Sequence, residues 1–525
     1  MRPEIHAAGN SPTLTASNPS ELTVQTNAVP ALTILWHPDV SRVGAMFSFA
    51  DVERGQSVAL SRNLPVFPVY ADTPAPLGDP FLSRQPCLQL TRRSDGVEVA
   101  PAGADCSIRL DGKPLHAKAV LSVADRSRAF IITLGRRIVL CLHAAAPSQA
   151  SSMDDLGMLG HSDAMQAVRR DVLSMADLDV PVLIRGETGT GKELVAAAIV
   201  KASRRANKPF VAVNLGALPP TLAVAEMLGR ERGAFTGATD SRKGYFGEAE
   251  GGTLFLDEIG LAVPDIQTAL LRILETGQVR TLGSGSAKRV DVRLLAATDV
   301  QLEQRVDAGT FLKSLFHRLS AFQIQLPPLR QRRQDIGVLF LHFLREILRE
   351  TGDLSRLEMP ITSKRVWLMG DAMTLVALAS WPGNVRQLRN CATQLAASNR
   401  GTAAAHLDPT LISALDYDAS IVHSAAPKTH VHGTSTRSGP ISHERLLDAL
   451  ERHDFRTTRA ARDLGISRTT LYDHIRRDPE LRKASDIDDE DLQRLNQECH
   501  GDLDQVSKRL RVSVRALRLR MAKSP

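Results

Sequence analysis

The sequence predicts a multidomain chain in three parts: a small all-β sandwich, a central α/β domain followed by a helical region, and an all-α end. Three observations predict it. Short apolar runs separated by turn residues fill 31–147 without helical periodicity. Apolar strands alternate with helical patterns from about 156 to Pro327. The final segment, from 441 onward, carries leucines at helical spacing among arginines. At 525 residues the chain is also too long for one core.

Composition narrows the partner classes. Lys and Arg number 65 against 58 Asp and Glu, leaving a net charge of +7 that suits a polyanionic partner. The five cysteines, Cys87, Cys106, Cys141, Cys391 and Cys499, show no paired metal-ligand spacing. A dispersed, odd set points to a reducing compartment rather than a disulfide framework or a zinc site. No apolar run approaches the roughly 18 residues of a membrane span, and residues 1–10 lack a signal-peptide core. The expectation is a cytoplasmic protein without a membrane partner.

Residues 1–30, rich in Ser, Thr, Asn and Pro, read as a disordered tail. In 31–147 the strand-length runs 32–35, 44–47, 87–90, 129–134 and 138–142 give the sandwich. Within it stand Ser61-Arg62, Leu82-Ser83-Arg84 and Asp111-Gly112. On these residues the segment resembles a forkhead-associated domain, a sandwich that binds phosphothreonine peptides through loops at one end. Ser61-Arg62 takes the place of that family's Gly-Arg, Ser83-Arg84 that of its Ser-Arg, and Asp111-Gly112 that of an Asn-Gly. Gln85 and Pro86 stand where a His is expected nearby. The resemblance implies an anion pocket of Arg62, Ser83 and Arg84 and a phosphoprotein partner; a sensory sandwich that binds no phosphopeptide is the alternative. The segment lacks the alternating strands and helices of a phosphoacceptor receiver domain.

The central domain is organised around Gly186-Glu187-Thr188-Gly189-Thr190-Gly191-Lys192-Glu193, between an apolar strand at 180–184 and a helix at 194–200. Three glycines let the backbone curl with its N–H groups inward, a helix N-terminus adds partial positive charge, and Lys192 adds a full one. This is a P-loop in which Glu193 replaces the final Ser/Thr, so the hydroxyl that normally holds Mg²⁺ is missing from that slot. Some 65 residues beyond Lys192, the strand Thr253-Leu254-Phe255-Leu256 ends in Asp257-Glu258. Carboxylates at a buried strand end need a positive partner, and a Mg²⁺-nucleotide supplies one. Asp257 would hold the metal, mostly through water, and Glu258 would activate the attacking water.

Between these two motifs lies Gly233-Ala234-Phe235-Thr236-Gly237-Ala238, with Phe235 placed to tip a loop rather than fill a core. With Val213-Asn214-Leu215, Gly229-Arg230-Glu231-Arg232, Leu326-Pro327-Pro328-Leu329-Arg330 and Trp381-Pro382-Gly383-Asn384-Val385-Arg386, this hexapeptide resembles the bacterial enhancer-binding proteins. These are AAA+ ATPases that activate sigma-54 RNA polymerase. The similarity covers 156–400, with a helical lid from about 330. It implies that Phe235 and Thr236 contact sigma-54 when the nucleotide state changes, that Asn214 restrains Glu258, that Thr298 is the sensor beside the γ-phosphate, and that Arg386 is a second sensor on the lid. Asp299 stands where the family commonly has Asn.

The family usually reads Phe-Arg-x-Asp-Leu where this chain reads Phe311-Leu312-Lys313-Ser314-Leu315, followed by His317-Arg318-Leu319. Arg318 keeps one of two arginines inserted toward a neighbour's γ-phosphate, whereas Leu312 replaces the other. An arginine finger is worth about 10³ to 10⁵ in rate in related phosphoryl transfers, so slow hydrolysis is one expectation. Lys313 matches in charge but not in bidentate geometry. Arginines acting in trans require head-to-tail contacts that close into a ring, and the resemblance implies a hexamer.

Residues 401–440 read as a flexible linker. In 441–483, Leu446, Leu447 and Leu450 lie on a first helix and Ala460, Ala461 and Leu464 on a second, with a turn at Gly465. A third runs from Ser467 to Arg477, with Leu471 and Ile475 inward and Arg468, Thr469, Thr470 and His474 outward. This is a helix-turn-helix, similar to the Fis-type domain of the same activators. It would bind double-stranded DNA through Ser467, Arg468, Thr469, Thr470, Tyr472, His474, Arg476 and Arg477. A second such repeat occupies 486–525, where Leu510, Val512, Ser513 and Leu517 repeat Leu464, Ile466, Ser467 and Leu471.

The resulting expectation is a DNA-tethered activator that uses ATP and Mg²⁺ to remodel sigma-54 RNA polymerase holoenzyme. A regulator that binds ATP, barely hydrolyses it and acts by occupancy is the alternative.

Overall fold

The computed structural model describes residues 28–68, 74–94, 96–103, 106–123, 128–146, 155–234, 240–363, 366–408, 411–412 and 443–452, with a few single positions up to 506. They fall in two compact units, 1–427 and 428–525.

The first unit begins with ten strands: β1 (Val29–Trp36), β2 (Met46–Ser48), β3 (Ser57–Leu60), β4 (Leu88–Arg92), β5 (Gly96–Pro101), β6 (Ile108–Leu110), β7 (Lys113–Pro114), β8 (Ala119–Ser122), β9 (Phe130–Leu134) and β10 (Ile138–Ala145). They form two antiparallel sheets, ordered β2-β1-β10-β9-β6-β7 and β3-β4-β5-β8. Leu32, Ile34, Leu88, Leu90, Val97, Val99, Ile132 and Leu140 close the core between them. Val29 and Pro30, expected in the tail, belong to β1 and pair with Ala145 and Ala144.

A five-stranded parallel sheet follows. In chain order come α1 (Asp163–Ala176), β11 (Val182–Arg185), α2 (Lys192–Lys201), β12 (Phe210–Asn214), α3 (Pro220–Leu228), α4 (Tyr245–Glu248), β13 (Thr253–Asp257) and α5 (Pro264–Thr276). A hairpin, β14 (Gln278–Val279) with β15 (Lys288–Arg289), precedes β16 (Arg293–Thr298), α6 (Leu302–Asp307), α7 (Lys313–Leu319) and β17 (Gln323–Gln325). The sheet order is β12-β13-β16-β11-β17. Its inner strands read as nearly unbroken apolar runs because helices cover both faces. The ends of β11, β13 and β16 therefore deliver the Gly186 loop, Asp257 and Thr298 to one edge, where open parallel sheets bind ligands.

The lid comprises α8 (Ile336–Glu350), α9 (Gly370–Leu378) and α10 (Asn384–Ser398). Its core is continuous with the sandwich: Leu35, Trp36, Ile131, Val139 and Cys141 join Phe340, Leu344, Met373, Trp381 and Leu388 in one cluster. The Trp36 indole donates to the Leu368 carbonyl at 3.1 Å. The Thr133 and Thr374 hydroxyls meet at 2.7 Å inside the interface. Gly337 lies directly on the backbone of Leu35, where a Cβ would come within 2.4 Å of its carbonyl oxygen. The buried Arg137 guanidinium pairs with Asp79 at 2.7 Å and donates to the carbonyls of Ile361 and Ser363. Asp335 pins the connection between sandwich and sheet by accepting from the amides of His161 and Ser162 and from the Ser162 hydroxyl.

The first residues of the expected linker also belong to the lid. Ala405 donates its amide to Trp367, Asn399 bonds both ways with His406, and Leu407 and Leu411 are buried in the shared core. Polar composition hid this because the backbone here is tied by one Asn rather than by periodic apolar contacts.

In the second unit, α11 (His443–Arg452) buries Leu446 and Leu450. Arg452 at its end pairs with Asp448 and Asp463. Of the span from Ser467 to Arg477 only the buried Leu471 is described, and of the 486–525 repeat only Arg494, Leu495, Glu498 and the buried Val506; the DNA-contact residues lie outside the described residues.

Candidate active site at the phosphate loop

The loop from Gly186 to Gly191 turns β11 into α2, and its sharp turn relies on Gly189 (φ 78°) and Gly191 (φ 105°). Such φ values suit glycine alone at low cost. Lys192 folds back over the loop, donating to the Gly186 carbonyl at 2.9 Å. Burial holds its ammonium below the ordinary lysine value, and Asp299, Asp257 and Glu258 draw it back up. Three carboxylates and one ammonium thus converge on a loop built to take an anion. Thr190 is buried, its hydroxyl donating to the Glu187 carbonyl at 2.7 Å, while Glu193 is exposed in the first turn of α2.

Asp257 ends β13 in register with Asn214 on β12, and its carboxylate accepts the Glu258 amide at 3.0 Å. Glu258 adopts a left-handed backbone (φ 57°), uncommon for a residue with a side chain. The turn swings its carboxylate toward Gly216, where a Cβ would stand 2.2 Å from Oε2. Asn214 caps the facing turn, Leu215–Ala217, accepting the Gly216 amide at 2.8 Å. Asn214 and Glu258 thus meet the same glycine, and no hydrogen bond joins them among the described residues.

At the end of β16 the structure separates two neighbours. Thr298 is buried, its hydroxyl tied to the backbone of Val300. Both meet the loop, Thr298 through its carbonyl, which accepts the Gly186 amide at 3.2 Å, and Asp299 through its carboxylate, which accepts the Thr188 hydroxyl at 2.6 Å. The strand ends at Thr298 and the chain bends at Asp299, which turns its side chain toward the loop.

The lid closes over the loop through the N-terminus of α10. Val385 and Arg386 donate their amides to Gly189, and the Asn384 side chain donates to Glu187 and Thr188 while accepting from Leu329. Arg330 forms a bidentate pair with Glu187 at 2.5 and 2.7 Å, which holds that carboxyl below the usual glutamate range. Trp381 (φ 52°) and Asn384 (φ 50°) are both left-handed, and backbone strain of this kind concentrates at ligand clamps. Arg386 is exposed, and its Cβ lies against Gly189.

Of the expected inter-subunit arginines, Arg318 is exposed at the end of α7, 3.9 Å from Glu275. Leu312 caps α7 with its amide on Gln267 and leaves 38% of its surface exposed; Lys313 is exposed beside it. The Phe235 loop has a defined stem. Arg230 and Arg242 bridge through both backbones, Glu231 bonds to Leu282, and Glu226 pairs with both arginines. Gly233 and Ala234 are at its mouth, with Gly283 of the β14–β15 hairpin against Ala234. Phe235, Thr236, Gly237 and Ala238 lie outside the described residues.

In the sandwich, Ser83 lines a cavity of about 470 Å³ with Gln85 and Gly103. Arg62 and Arg84 do not line it: the Arg62 guanidinium is committed to the carbonyls of Pro80 and Leu82, and Arg84 is exposed. The Arg62 amide donates to the Ser83 carbonyl at 2.8 Å, so the three residues are neighbours, with the Arg62 guanidinium held by backbone.

Comparison with known proteins accords with this geometry. Residues 158–325 match the model of the Sigma-54 interaction domain, 330–419 the AAA+ ATPase lid domain, and 440–477 the Fis family of bacterial regulatory proteins. The transcriptional regulatory protein ZraR of Salmonella typhimurium is 38% identical over 346 residues, 66% of this chain and 74% of that protein. The chain belongs to the sigma-54-interacting family of AAA+ regulators. Another of these regulators, NtrC of Salmonella typhimurium, is 48% identical over 233 residues, 44% of this chain. The match spans about half of NtrC's own length, at 48%. NtrX from Brucella abortus in complex with ATP is 32% identical, covering 60% of this chain and 68% of that one, with a TM-score of 0.45. The three family models together match residues between 158 and 477.

Sequence reasoning assigned no role to Glu187, Arg330 or Asn384 beyond their motifs, yet they form the bond between loop and lid in this family member. A signal was present in Asn384, a residue tolerant of left-handed backbone placed directly after Pro-Gly.

Proposed function

We propose that this chain is a sigma-54-dependent transcription activator that binds ATP at the Gly186–Lys192 loop and couples its hydrolysis to remodelling of sigma-54 RNA polymerase. One observation carries the reading: the segment matched to the Sigma-54 interaction domain presents Lys192, Asp257, Glu258 and Asp299 around one phosphate loop. The donor set fits a Mg²⁺ ion held chiefly by nucleotide and water, because Asp257 keeps one carboxylate oxygen free of the Glu258 amide. Such an ion would neutralise charge on the transferred phosphoryl group.

The residues divide the work. Lys192 and the inward amides bind the phosphates, Asp257 would hold the metal ion, and Glu258 accepts the proton of the attacking water once released from its place over Gly216. Asn384 and Arg386 report the nucleotide to the lid, and Asp299 reports it through Thr188. The loop rising from the Arg230–Arg242 stem would carry Phe235 and Thr236 to sigma-54, and the Fis-type end would hold the assembly on upstream DNA, raising its concentration at the promoter. Arg318 acts across a subunit interface, which makes the working form a ring, expected as a hexamer. The sandwich would supply the sensory input, with a phosphoprotein as one class of ligand.

Promoter opening by sigma-54 holoenzyme in a purified transcription system tests this. Opening should require hydrolysable ATP and be lost in Glu258→Gln and Phe235→Ala. Opening without ATP would defeat the proposal.

Leu312 favours a second reading, a regulator that occupies DNA and ATP but hydrolyses slowly. ATPase rate measured against protein concentration separates the two. Under this reading the parent is slow at every concentration and Leu312→Arg accelerates it.

A further inference from the structure

At the junction of sandwich, sheet domain and lid, three arginines from separate elements surround one cavity of about 340 Å³: Arg128 before β9, and Arg330 and Arg333 in the two short turns leading to α8. Arg128 is held over the Phe130 ring at 5.1 Å, so its position is partly fixed. Among the described residues no ion pair joins Arg128 or Arg333 to an acid. The acid nearest to both in effect is Asp111, whose carboxylate is engaged by the Ile131 amide and whose burial disfavours its charge. Arg330 is already committed, both its terminal nitrogens being on Glu187 of the phosphate loop.

With Arg330 neutralised by Glu187, the Arg128 and Arg333 guanidiniums are the uncompensated charges at the cavity, and an anion between them lowers their repulsion. A dianionic phosphoryl group matches them in charge and in the fork geometry of its oxygens. We infer that this junction cavity binds a phosphoryl group, free or carried on a side chain, through Arg128, Arg333 and Arg330. Binding draws Arg330 from Glu187 and so loosens the bond between phosphate loop and lid. The coupling is therefore negative: the ligand weakens ATP binding, and ATP weakens the ligand by the same factor. The coupling rests on the ATP site proposed above; the binding does not.

The site is tested on the full chain carrying Lys192→Ala, which silences the phosphate loop, by calorimetric titration with inorganic phosphate and separately with a blocked phosphothreonine dipeptide. At least one probe should saturate, and Arg128→Gln or Arg333→Gln should weaken it by at least about tenfold, as expected for a lost charged hydrogen bond. Arg84→Gln, beside the other cavity of the sandwich, should leave it unchanged. Arg128 and Arg84 are both on the surface, so neither substitution threatens folding. Preference for the dipeptide assigns the source to a phosphorylated side chain, and preference for phosphate to a free anion. No binding, or binding indifferent to both Arg128→Gln and Arg333→Gln, overturns the site.

With Lys192 intact, the dipeptide should lower ATP affinity several-fold, and the double substitution Arg128→Gln, Arg333→Gln should abolish that effect. Affinity for ATP that ignores a bound dipeptide overturns the coupling alone. Failure of the parent to bind ATP overturns the nucleotide reading and leaves the titration standing.

Discussion

Where the lid meets the sandwich, Trp36, Leu35 and the Thr133–Thr374 pair are enclosed in a shared apolar core, whereas where it meets the phosphate loop the contact is polar and its Glu187–Arg330 pair is open to solvent. The Glu187–Arg330 pair keeps about two-fifths of each side chain exposed, at 41% and 43%. Exposed pairs contribute under about 1 kcal/mol, while burying one large apolar side chain contributes about 1.5 to 3 kcal/mol. The difference separates a permanent joint from a reversible one. A lid fixed to the sandwich and loosely bonded to the loop can swing over nucleotide without leaving its neighbour.

The strongest way to break this contrast is Trp36→Ala. Removing a fully packed indole and its bond to Leu368 should cost about 3 to 5 kcal/mol, read as a lower urea midpoint for the sandwich and lid together. If the two instead melt separately in the parent, the shared core is not a joint. Gly337→Ala is the next largest, since a methyl meets the Leu35 backbone rather than a movable side chain. Overpacking of this kind costs about 1 to 3 kcal/mol, and thermal melting should show it.

Acid should separate the two contacts. His143 is enclosed at the end of β10, its Nδ1–H donating to the Ala144 carbonyl and its Nε2 accepting from Thr33, and burial holds its pKa below the ordinary value. Asp163 and Asp335 face it from the adjoining segments and only partly offset this. As pH falls below about 6.5, the unfolded chain takes up a proton that the folded chain resists, so stability declines with acid through that window. Glu187 is also depressed, but by Arg330, so its contribution persists until pH falls below the ordinary glutamate value of about 4.3. Unfolding measured from pH 7.5 to 5 should therefore weaken the sandwich side first, and His143→Gln should flatten the slope.

The smallest effect on stability belongs to Glu187→Gln, under about 1 kcal/mol. Its signature should instead be a several-fold change in ATP affinity, measured by fluorescent-nucleotide titration. A large loss of stability with unchanged affinity would reverse the roles assigned to the two contacts.

Much of this architecture was legible in the chain because periodicity reports burial. The runs of β11, β13 and β16 announced a covered parallel sheet, and the glycines between β11 and α2 announced the phosphate loop. The joint between sandwich and lid was not legible. Trp36 and Gly337 are some 300 residues apart, and nothing in either local pattern says that their surfaces meet. The same limit applies to Thr298 and Asp299, where the motif located the pair but only the bend after β16 decided that the Asp299 carboxylate meets Thr188. The sequence pattern could not show that the Arg62 guanidinium is held by backbone carbonyls.

The sandwich touches the rest of its unit through far more than the peptide that links them. Arg137 reaches the carbonyls of Ile361 and Ser363, the Thr133 hydroxyl meets that of Thr374, and the indole of Trp36 donates to the Leu368 carbonyl. Covalent continuity between Ala146 and Asp155 is then redundant for holding the pieces together. Two separately produced polypeptides, divided there, should find each other and reconstitute a working particle.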